Sequence, residues 1–162
     1  MAKISLNTII GPVSIEERDE KIVRVGWSEV APESTVSLVL ENAVDQLKAY
    51  FAEQLSEFDL PLAPPGSPFQ QRVWSAMREI PHGETWTYGQ LAALADTAPR
   101  AVGGACGANP IPIIIPCHRV LAENGRGGYS GRGGLKTKSA LLDIENRKAR
   151  LLYTHGKRPF PR

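Results

Sequence analysis

The sequence has few cysteines, no long apolar run and no large excess of one charge, and each absence excludes a class of protein. Two cysteines among 162 residues are too few for the disulfide framework of a small secreted domain. No run of about 18 apolar residues, which a membrane-spanning helix requires, is present. The N-terminal residues lack the basic and then apolar order of a signal peptide. We therefore expect a cytoplasmic globular protein with no membrane partner.

Charge is divided unevenly between the two halves of the chain, although the net charge is only +2. Residues 1–67 contain 5 Lys and Arg against 11 Asp and Glu, which gives −6. Residues 68–162 contain 14 against 6, which gives +8. A basic half next to an acidic half indicates that the second half meets a polyanion. The alternative is that both are ordinary solvated surfaces.

A proline-rich stretch at 61–68 predicts the boundary between two domains, because it can continue neither a helix nor a central strand. Before it, three short strands are predicted at Ile4–Ile10, Val13–Glu17 and Lys21–Trp27, with a turn at Gly11-Pro12. An amphipathic helix is predicted at about 36–55. This half has no cysteine and no histidine, which argues against a metal site within it.

The second half begins with clear helix signals. Ser67 starts a capping box, and the helix that follows is expected to end before Pro81. A second capping box at Thr87 starts another short helix. Thr97 is expected to cap the helix over 99–108. Two short helices joined by a tight turn predict a helix-turn-helix, with plain packing of two helices as the alternative.

The helix over 99–108 is unusually rich in glycine. Each of Gly103, Gly104 and Gly107 costs about 1 kcal/mol against alanine inside a helix. Glycine is useful where a backbone must approach another molecule closely, and the minor groove of DNA, about 6 Å wide, is such a place. Arg100 in the first turn is placed to reach bases or phosphates. Close packing of this helix against another helix is the alternative.

Residues 109–116 form an extended apolar segment with three prolines that leads to Cys117. A cysteine nucleophile acts as the thiolate, and since a free thiol has a pKa of about 8.5, it needs a base or a positive neighbour. His118 is the nearest candidate base. Side chains of adjacent residues usually point apart, so we expect a bridging water between the two.

Glu145 is a candidate third member of this group. It follows the leucines at 141–142 by three and four residues on a predicted helix, so its carboxylate shares their apolar face and needs a partner. With His118 as that partner, a Cys–water–His–Glu relay results, comparable to a Ser-His-Asp triad. The alternative is an ion pair with Lys138 or Arg119.

No metal site and no disulfide is expected in the second half. Cys106, Cys117 and His118 lack the short ligand spacing of zinc sites. A disulfide between the two cysteines is disfavoured in a reducing compartment.

The motifs of the second half occur together in an order that resembles the O6-alkylguanine-DNA alkyltransferases. The resemblance covers residues 68–146 and is carried by five segments: Thr87–Ala92, Arg100–Ala105 with Asn109-Pro110, Pro116–Val120, Gly128–Gly131 and Leu135–Glu145. The first half is similar to the family's ribonuclease-H-like domain in outline only.

The resemblance implies an α+β or α/β fold class with two domains. A small N-terminal ribonuclease-H-like strand-plus-helix domain would occupy 1–62, followed by a linker at 63–67. A helical, winged-helix-like domain with the helix-turn-helix would occupy 68–162, including a basic tail at 157–162.

The resemblance also implies direct repair of DNA. Cys117 would take an alkyl group, typically methyl, from O6 of guanine or O4 of thymine and keep it as a thioether. The protein would act once, as a monomer, from the minor groove of double-stranded DNA, with no cofactor.

Catalytic roles follow residue by residue from the same resemblance. His118 would accept the thiol proton through water, and Glu145 would orient and stabilise His118. Asn109 would hold the turn before the active-site segment. Tyr88 would rotate the target phosphate and donate a proton to the departing guanine.

DNA contact would fall to the helix-turn-helix. Arg100 would fill the stack vacated by the flipped base, and Thr97 would bind a phosphate at a helix N-terminus. Gly103 and Gly104 would allow the helix to approach the groove.

The base pocket would be lined from several segments. The carbonyls of Cys117 and Val120 would accept from the guanine amine, with Tyr129 and Ser130 near O6. Departures from the family include the loop 130–134, which is two residues longer, Cys106, which stands where a larger apolar residue is common, and Gly89, which stands where some members have a polar DNA contact.

Three other classes of protein share some of these sequence features. An alkyltransferase-like damage sensor would bind DNA without reacting, but such relatives replace the cysteine that is present here as Cys117. A transcription regulator would need only the helix-turn-helix, and a cysteine hydrolase would need an oxyanion hole that the sequence does not indicate.

Overall fold

A computed structural model describes residues 2–31, 36–125, 127–129 and 131–152, the last five of these by their backbone alone. They divide into two compact units. The first contains the chain up to Pro65 together with Pro110–Ile114, and the second contains the remainder. An N-terminal sheet unit is thus followed by a C-terminal helical unit.

The first unit is a three-stranded antiparallel sheet with one helix. Strands β1 (Ala2–Thr8), β2 (Gly11–Arg18) and β3 (Lys21–Gly26) are ordered β1-β2-β3. Helix α1 (Leu38–Phe51) covers one face. The buried residues alternate in β2 (Val13 and Ile15) and recur every three or four residues in α1 (Leu40, Ala43, Leu47 and Tyr50), as the two periods require. In β3 the buried Ile22 and Val25 are three residues apart, because the register with β2 shifts between Glu16 and Glu17.

Two predicted boundaries in this unit are wrong. The first turn lies at Ile9–Ile10, one pair earlier than Gly11-Pro12, because Thr8 pairs with Gly11 across the hairpin and the Thr8 hydroxyl accepts from the Ile10 N–H at 3.1 Å. Helix α1 is shorter than 36–55. Ser37 caps its start by accepting from Leu40 N–H, and the chain turns left-handed at Glu53, with φ 63°.

The free edge of β3 receives two proline-rich segments. Ile22 N–H donates to the Pro61 carbonyl at 2.8 Å, and Val25 N–H donates to the Pro110 carbonyl at 2.9 Å. Residues 110–114 are all buried. The segment therefore groups with the first unit, although it lies inside the predicted second domain.

The second unit consists of five short or medium helical segments and two very short strands. They are α2 (Pro68–Met77), β4 (Trp86–Thr87), α3 (Tyr88–Leu94), α4 (Pro99–Gly107), a 3₁₀ turn (Cys117–Arg119), β5 (Val120–Leu121) and α5 (Leu135–Leu152). Both predicted capping boxes are present, at Ser67 with Gln70 and at Thr87 with Gln90. Strands β4 and β5 pair in parallel, a pairing that the sequence did not indicate. No helix in the described part of the chain is long and apolar enough to cross a membrane.

The prediction that Thr97 caps α4 is wrong. The N-cap is Ala98, which makes no side-chain hydrogen bond. Pro99 occupies the first helical position, and the residue before a proline is held extended, so α4 begins one residue too late for Thr97. The Thr97 N–H instead donates to the Ala92 carbonyl at 2.9 Å and closes the end of α3.

Candidate active site

Cys117 is presented by a short turn that Asn109 holds in shape. The Asn109 side-chain amide donates to the Ile115 carbonyl at 2.8 Å, and the Cys117 N–H donates to the same carbonyl at 2.8 Å. Cys117 then begins the 3₁₀ turn, and its side chain is buried. The extended segment therefore delivers a fixed thiol at its end.

Glu145 is the centre of a buried cluster that includes two of the three partners proposed from the sequence, His118 and Arg119. His118 Nε2 lies 2.6 Å from one carboxylate oxygen of Glu145. Arg119 donates through Nε to the other oxygen at 2.8 Å and through Nη2 to the first at 3.1 Å. The third guanidinium nitrogen donates to the Ile80 carbonyl at 2.6 Å. The histidine pair and the Arg119 alternative are thus parts of one arrangement.

This cluster fixes the protonation of His118. Burial raises the pKa of Glu145, but His118 and Arg119 outweigh it and hold that pKa well below its usual range. An ionised carboxylate can only accept, so His118 Nε2 donates. Burial also lowers the pKa of His118, despite the attraction of Glu145. A neutral ring then leaves Nδ1 as a free acceptor, and that atom has no hydrogen-bond partner among the described residues.

A cavity of about 280 Å³ opens beside Cys117. Its lining residues come from α3, α4, the 3₁₀ turn and the loop after β5: Tyr88, Gly103, Cys106, Gly107, Cys117, Gly128 and Tyr129. A larger hollow beside β1 has no cysteine or histidine in its lining. Of these two cavities, the smaller is the one whose lining contains a thiol.

The two cysteines in this cavity are not equivalent. Burial raises the pKa of Cys117, while a hydrogen bond from Asn109 and the charge of Lys138 oppose that rise. Burial, together with the charge of Cys117, raises the pKa of Cys106 to about 12, although the charge of Lys138 opposes this rise. Cys106 is therefore a neutral thiol near pH 7, and of the two cysteines only Cys117 receives a hydrogen bond from Asn109.

Two tyrosines, Tyr88 and Tyr129, line the cavity. Burial is the main cause that raises the pKa of both Tyr88 and Tyr129. Tyr88 is the first residue of α3. The backbone of Gly127, whose φ is 71°, passes close to the Tyr88 ring. A Cβ added at Gly127 would lie 3.0 Å from that ring. The loop can take this path only because residue 127 is glycine.

Lys138 is a site residue whose placement the sequence interpretation missed. Its side chain is fully buried, and its ammonium donates to the Val120 carbonyl at 2.7 Å and to the Gly128 carbonyl at 2.9 Å. Its position seven residues before Glu145 is the available signal, since residues two turns apart share a helix face.

The outer face of α4 is bare. Arg100, Gly103 and Gly104 are exposed, and a Cβ added at Gly103, Gly104 or Gly107 would meet no atom within 4 Å. Close packing against another helix of the described part therefore does not explain these glycines.

The remaining predicted residues lie in different surroundings. Thr97 is half-buried and Val120 is fully buried. Ser130 and the tail at 157–162 lie outside the described residues. No group of three or more His, Cys, Asp or Glu in the described part is placed to hold a metal ion.

Comparison with known proteins gives one family. Residues 1–64 match the model of the 6-O-methylguanine DNA methyltransferase ribonuclease-like domain, and residues 68–147 match that of its DNA-binding domain. A methylated-DNA--protein-cysteine methyltransferase of Mycobacterium tuberculosis is 54% identical over 111 residues, covering 67% of this chain and 66% of the relative. One from Methanosarcina acetivorans is 43% identical, covering 84% and 92%.

A solved structure extends the likeness to the fold. The crystal structure of Mycobacterium tuberculosis OGT in complex with DNA superposes with a TM-score of 0.80 at 41% identity. The match covers 90% of this chain and 93% of that one.

Proposed function

The chain belongs to the 6-O-methylguanine DNA methyltransferase family, and from this we propose that it repairs DNA by moving an alkyl group, typically methyl, from O6 of guanine to its own Cys117. O4 of thymine is a second acceptable source. The observation that carries the proposal is the placement of Cys117 in the cavity, next in sequence to the buried His118–Glu145 pair.

The reaction is a displacement at the alkyl carbon. The Cys117 sulfur forms a C–S bond as the C–O bond to guanine breaks. The thiol proton passes through a bridging water to Nδ1 of His118, and the Tyr88 hydroxyl donates a proton to the departing guanine. Because a thioether does not leave again, each molecule acts once.

Glu145 makes His118 a better base. As His118 takes up a proton it becomes a cation inside the protein, where an unpaired charge is costly. The Glu145 carboxylate is already in contact with Nε2 and stabilises that cation as it forms, which is the role of the carboxylate in a Ser-His-Asp triad.

The cavity is suited to a flipped base. Asn109 holds the turn, the Cys117 and Val120 carbonyls face the guanine amine, and Tyr129 borders O6. Cys106 completes the wall as a neutral thiol. A target base inside a duplex must leave the stack to reach such a pocket.

The bare face of α4 is the proposed minor-groove surface. Gly103 and Gly104 let the backbone approach the groove, Arg100 fills the vacated stack, and Thr97 meets a phosphate at the turn before α4. The protein acts on double-stranded DNA as a monomer and in the cytoplasm.

The proposed fold has two domains joined by a linker. Residues 1–62 form a ribonuclease-H-like domain, 63–67 a linker and 68–162 a winged-helix-like domain, except that residues 110–114 group with the first unit. A damage sensor that only binds DNA would need neither a cysteine at position 117 nor the buried base beside it, so the enzyme is favoured.

Intact-protein mass spectrometry tests the proposal. After incubation with a duplex that carries O6-methylguanine, one added methyl group is expected, on the peptide that contains Cys117. Cys117→Ser should bind the duplex and gain no methyl, while Cys106→Ser should still be modified. Repeated turnover, or methyl on Cys106 instead, would exclude single-use transfer to Cys117.

A further inference from the structure

We propose that Lys138 is a positioning residue for the proposed alkyl transfer, because its ammonium ties the Val120 end of the active-site turn to the Gly128 edge of the cavity and places a positive charge near the Cys117 thiol. The inference rests on the proposed function and adds a residue to it.

The contacts of the ammonium join two chain segments that are eight residues apart. Nζ lies 2.7 Å from the Val120 carbonyl and 2.9 Å from the Gly128 carbonyl. Val120 follows the 3₁₀ turn that carries Cys117, and Gly128 lines the cavity next to Tyr129.

Side chains of helix α5 contact each of the three residues that follow Cys117 in sequence. Glu145 binds His118 and Arg119, and Lys138, two turns earlier on the same face, binds Val120. The three residues that follow Cys117 in sequence are therefore all anchored to one helix. A shift of the turn relative to the cavity would need several buried charged contacts to break together.

Burying an ammonium is costly, because the group loses its water. A methionine of similar length would fill the same space at no such cost. The charge is therefore better explained by its surroundings than by packing: it opposes the burial-driven rise in the pKa of Cys117 and does the same for Cys106.

The other groups around Cys117 do not replace that charge. Tyr88 on α3, Cys106 on α4 and Tyr129 in the loop all have raised pKa values, so they are neutral near pH 7. His118 and Arg119, which follow Cys117 in sequence, are both paired with Glu145.

The test compares Lys138→Met, Lys138→Gln and Lys138→Arg in the full chain with Lys136→Met as the matched control. Lys136 is on the same helix and exposed. Two rates are measured from pH 6 to 9.5: alkyl transfer from O6-benzylguanine as the free base, and labelling of Cys117 by iodoacetamide, followed on its peptide by mass spectrometry. Iodoacetamide reports the thiolate and needs no repair activity.

We expect Lys138→Met and Lys138→Gln to raise the labelling midpoint by about one pH unit, the size of effect one nearby charge produces. Alkyl transfer at pH 7.5 should fall about tenfold or more, since one unit leaves a tenth of the thiolate. Lys138→Arg should keep the midpoint and recover part of the rate. Lys136→Met should change neither.

An unchanged midpoint in Lys138→Met, with activity lost only in proportion to unfolded protein, would overturn the proposal. If Lys138→Met does not fold, a raised midpoint in folded Lys138→Arg would overturn it equally. A wild-type chain that transfers no alkyl group would contradict the proposed function, while the labelling profile would still report what Lys138 does to Cys117.

Discussion

The two units bury different kinds of side chain. In the first, the buried residues with described side chains are apolar or aromatic, and its charges pair at the surface, as Lys3 and Arg24 do with Glu16. In the second, six ionisable side chains other than cysteine are buried: His82, Glu84, His118, Arg119, Lys138 and Glu145. Because buried charge is costly, its concentration in one unit marks where the chemistry lies.

The largest effect is expected from a substitution that removes the charge at the centre of the buried cluster. Glu145→Gln leaves Arg119 buried without a counter-charge, which we expect to cost about 3–5 kcal/mol in the free energy of unfolding. Alkyl transfer should fall by about 100-fold or more, as is typical when general-base catalysis is lost. Urea unfolding and single-turnover rates measure the two effects.

Glu16→Gln is the matched change in the first unit. Its two ion-pair partners are more than half exposed, so the cost should stay within about 1 kcal/mol. Equal costs for Glu16→Gln and Glu145→Gln would remove the contrast between the units.

Acid should weaken the buried cluster in two steps. The folded pKa of His118 is lowered, so its contribution is present above the unfolded value of about 6.5 and is lost as the pH falls below it. The folded pKa of Glu145 is also lowered, so its contribution disappears below about pH 4.3. The urea midpoint should therefore fall from pH 8 to 5 and further towards pH 3. In His118→Gln the first step should be absent; a persisting first step would assign it to another group.

Arg100→Ala separates base flipping from pocket chemistry. Arg100 is exposed, so its removal should leave the fold intact. We expect repair of O6-methylguanine in a duplex to slow by about tenfold or more, because the vacated stack loses its support. Reaction with free O6-benzylguanine should be unchanged. Equal slowing with both substrates would make Arg100 a pocket residue.

Gly103→Ala and Gly104→Ala should each stabilise the free protein and weaken its binding to DNA. An added methyl meets open space at both positions, so each change should stabilise the free protein by about 0.5–1 kcal/mol. Affinity for duplex DNA, measured by fluorescence anisotropy, should nevertheless fall. Unchanged affinity would show that α4 does not lie against the groove.

The smallest effect concerns the acidic half. Affinity for undamaged duplex should decrease with salt at a log–log slope of roughly −3 to −4, as expected for a few phosphate contacts. Neutralising Glu16, Glu17 and Glu20 together should leave that slope nearly unchanged. A large change would mean that the charge of the first half acts on DNA.

Features with a local cause were predictable from the sequence, and those with a distant cause were not. Both capping boxes were found because Ser67 and Thr87 each act on a residue three positions away. Thr97 was assigned wrongly because Pro99, a stronger local constraint, fixed the start of α4 one residue later. The predicted burial of Glu145 followed from its helix face.

Partners across the fold left no such signal. The β4–β5 pair joins two-residue strands 34 residues apart, too short to show a pattern. Lys138 looks like an ordinary helix lysine until the carbonyls of Val120 and Gly128 are placed next to it. Arg119 was named as an alternative to His118, whereas a carboxylate has two oxygens and Glu145 binds both residues.

The grouping of Pro110–Ile114 with the first unit has a consequence for protein engineering. The chain leaves the second unit after Asn109 and returns at Ile115, so α4 and Cys117 are joined by residues that group with the first unit. A fragment beginning at Gly66 would include these five apolar residues without Val25, which bonds to Pro110. The two units are therefore poor modules for splitting or swapping, and a fusion tag or reporter is better attached at a terminus than inserted at the 65/66 boundary.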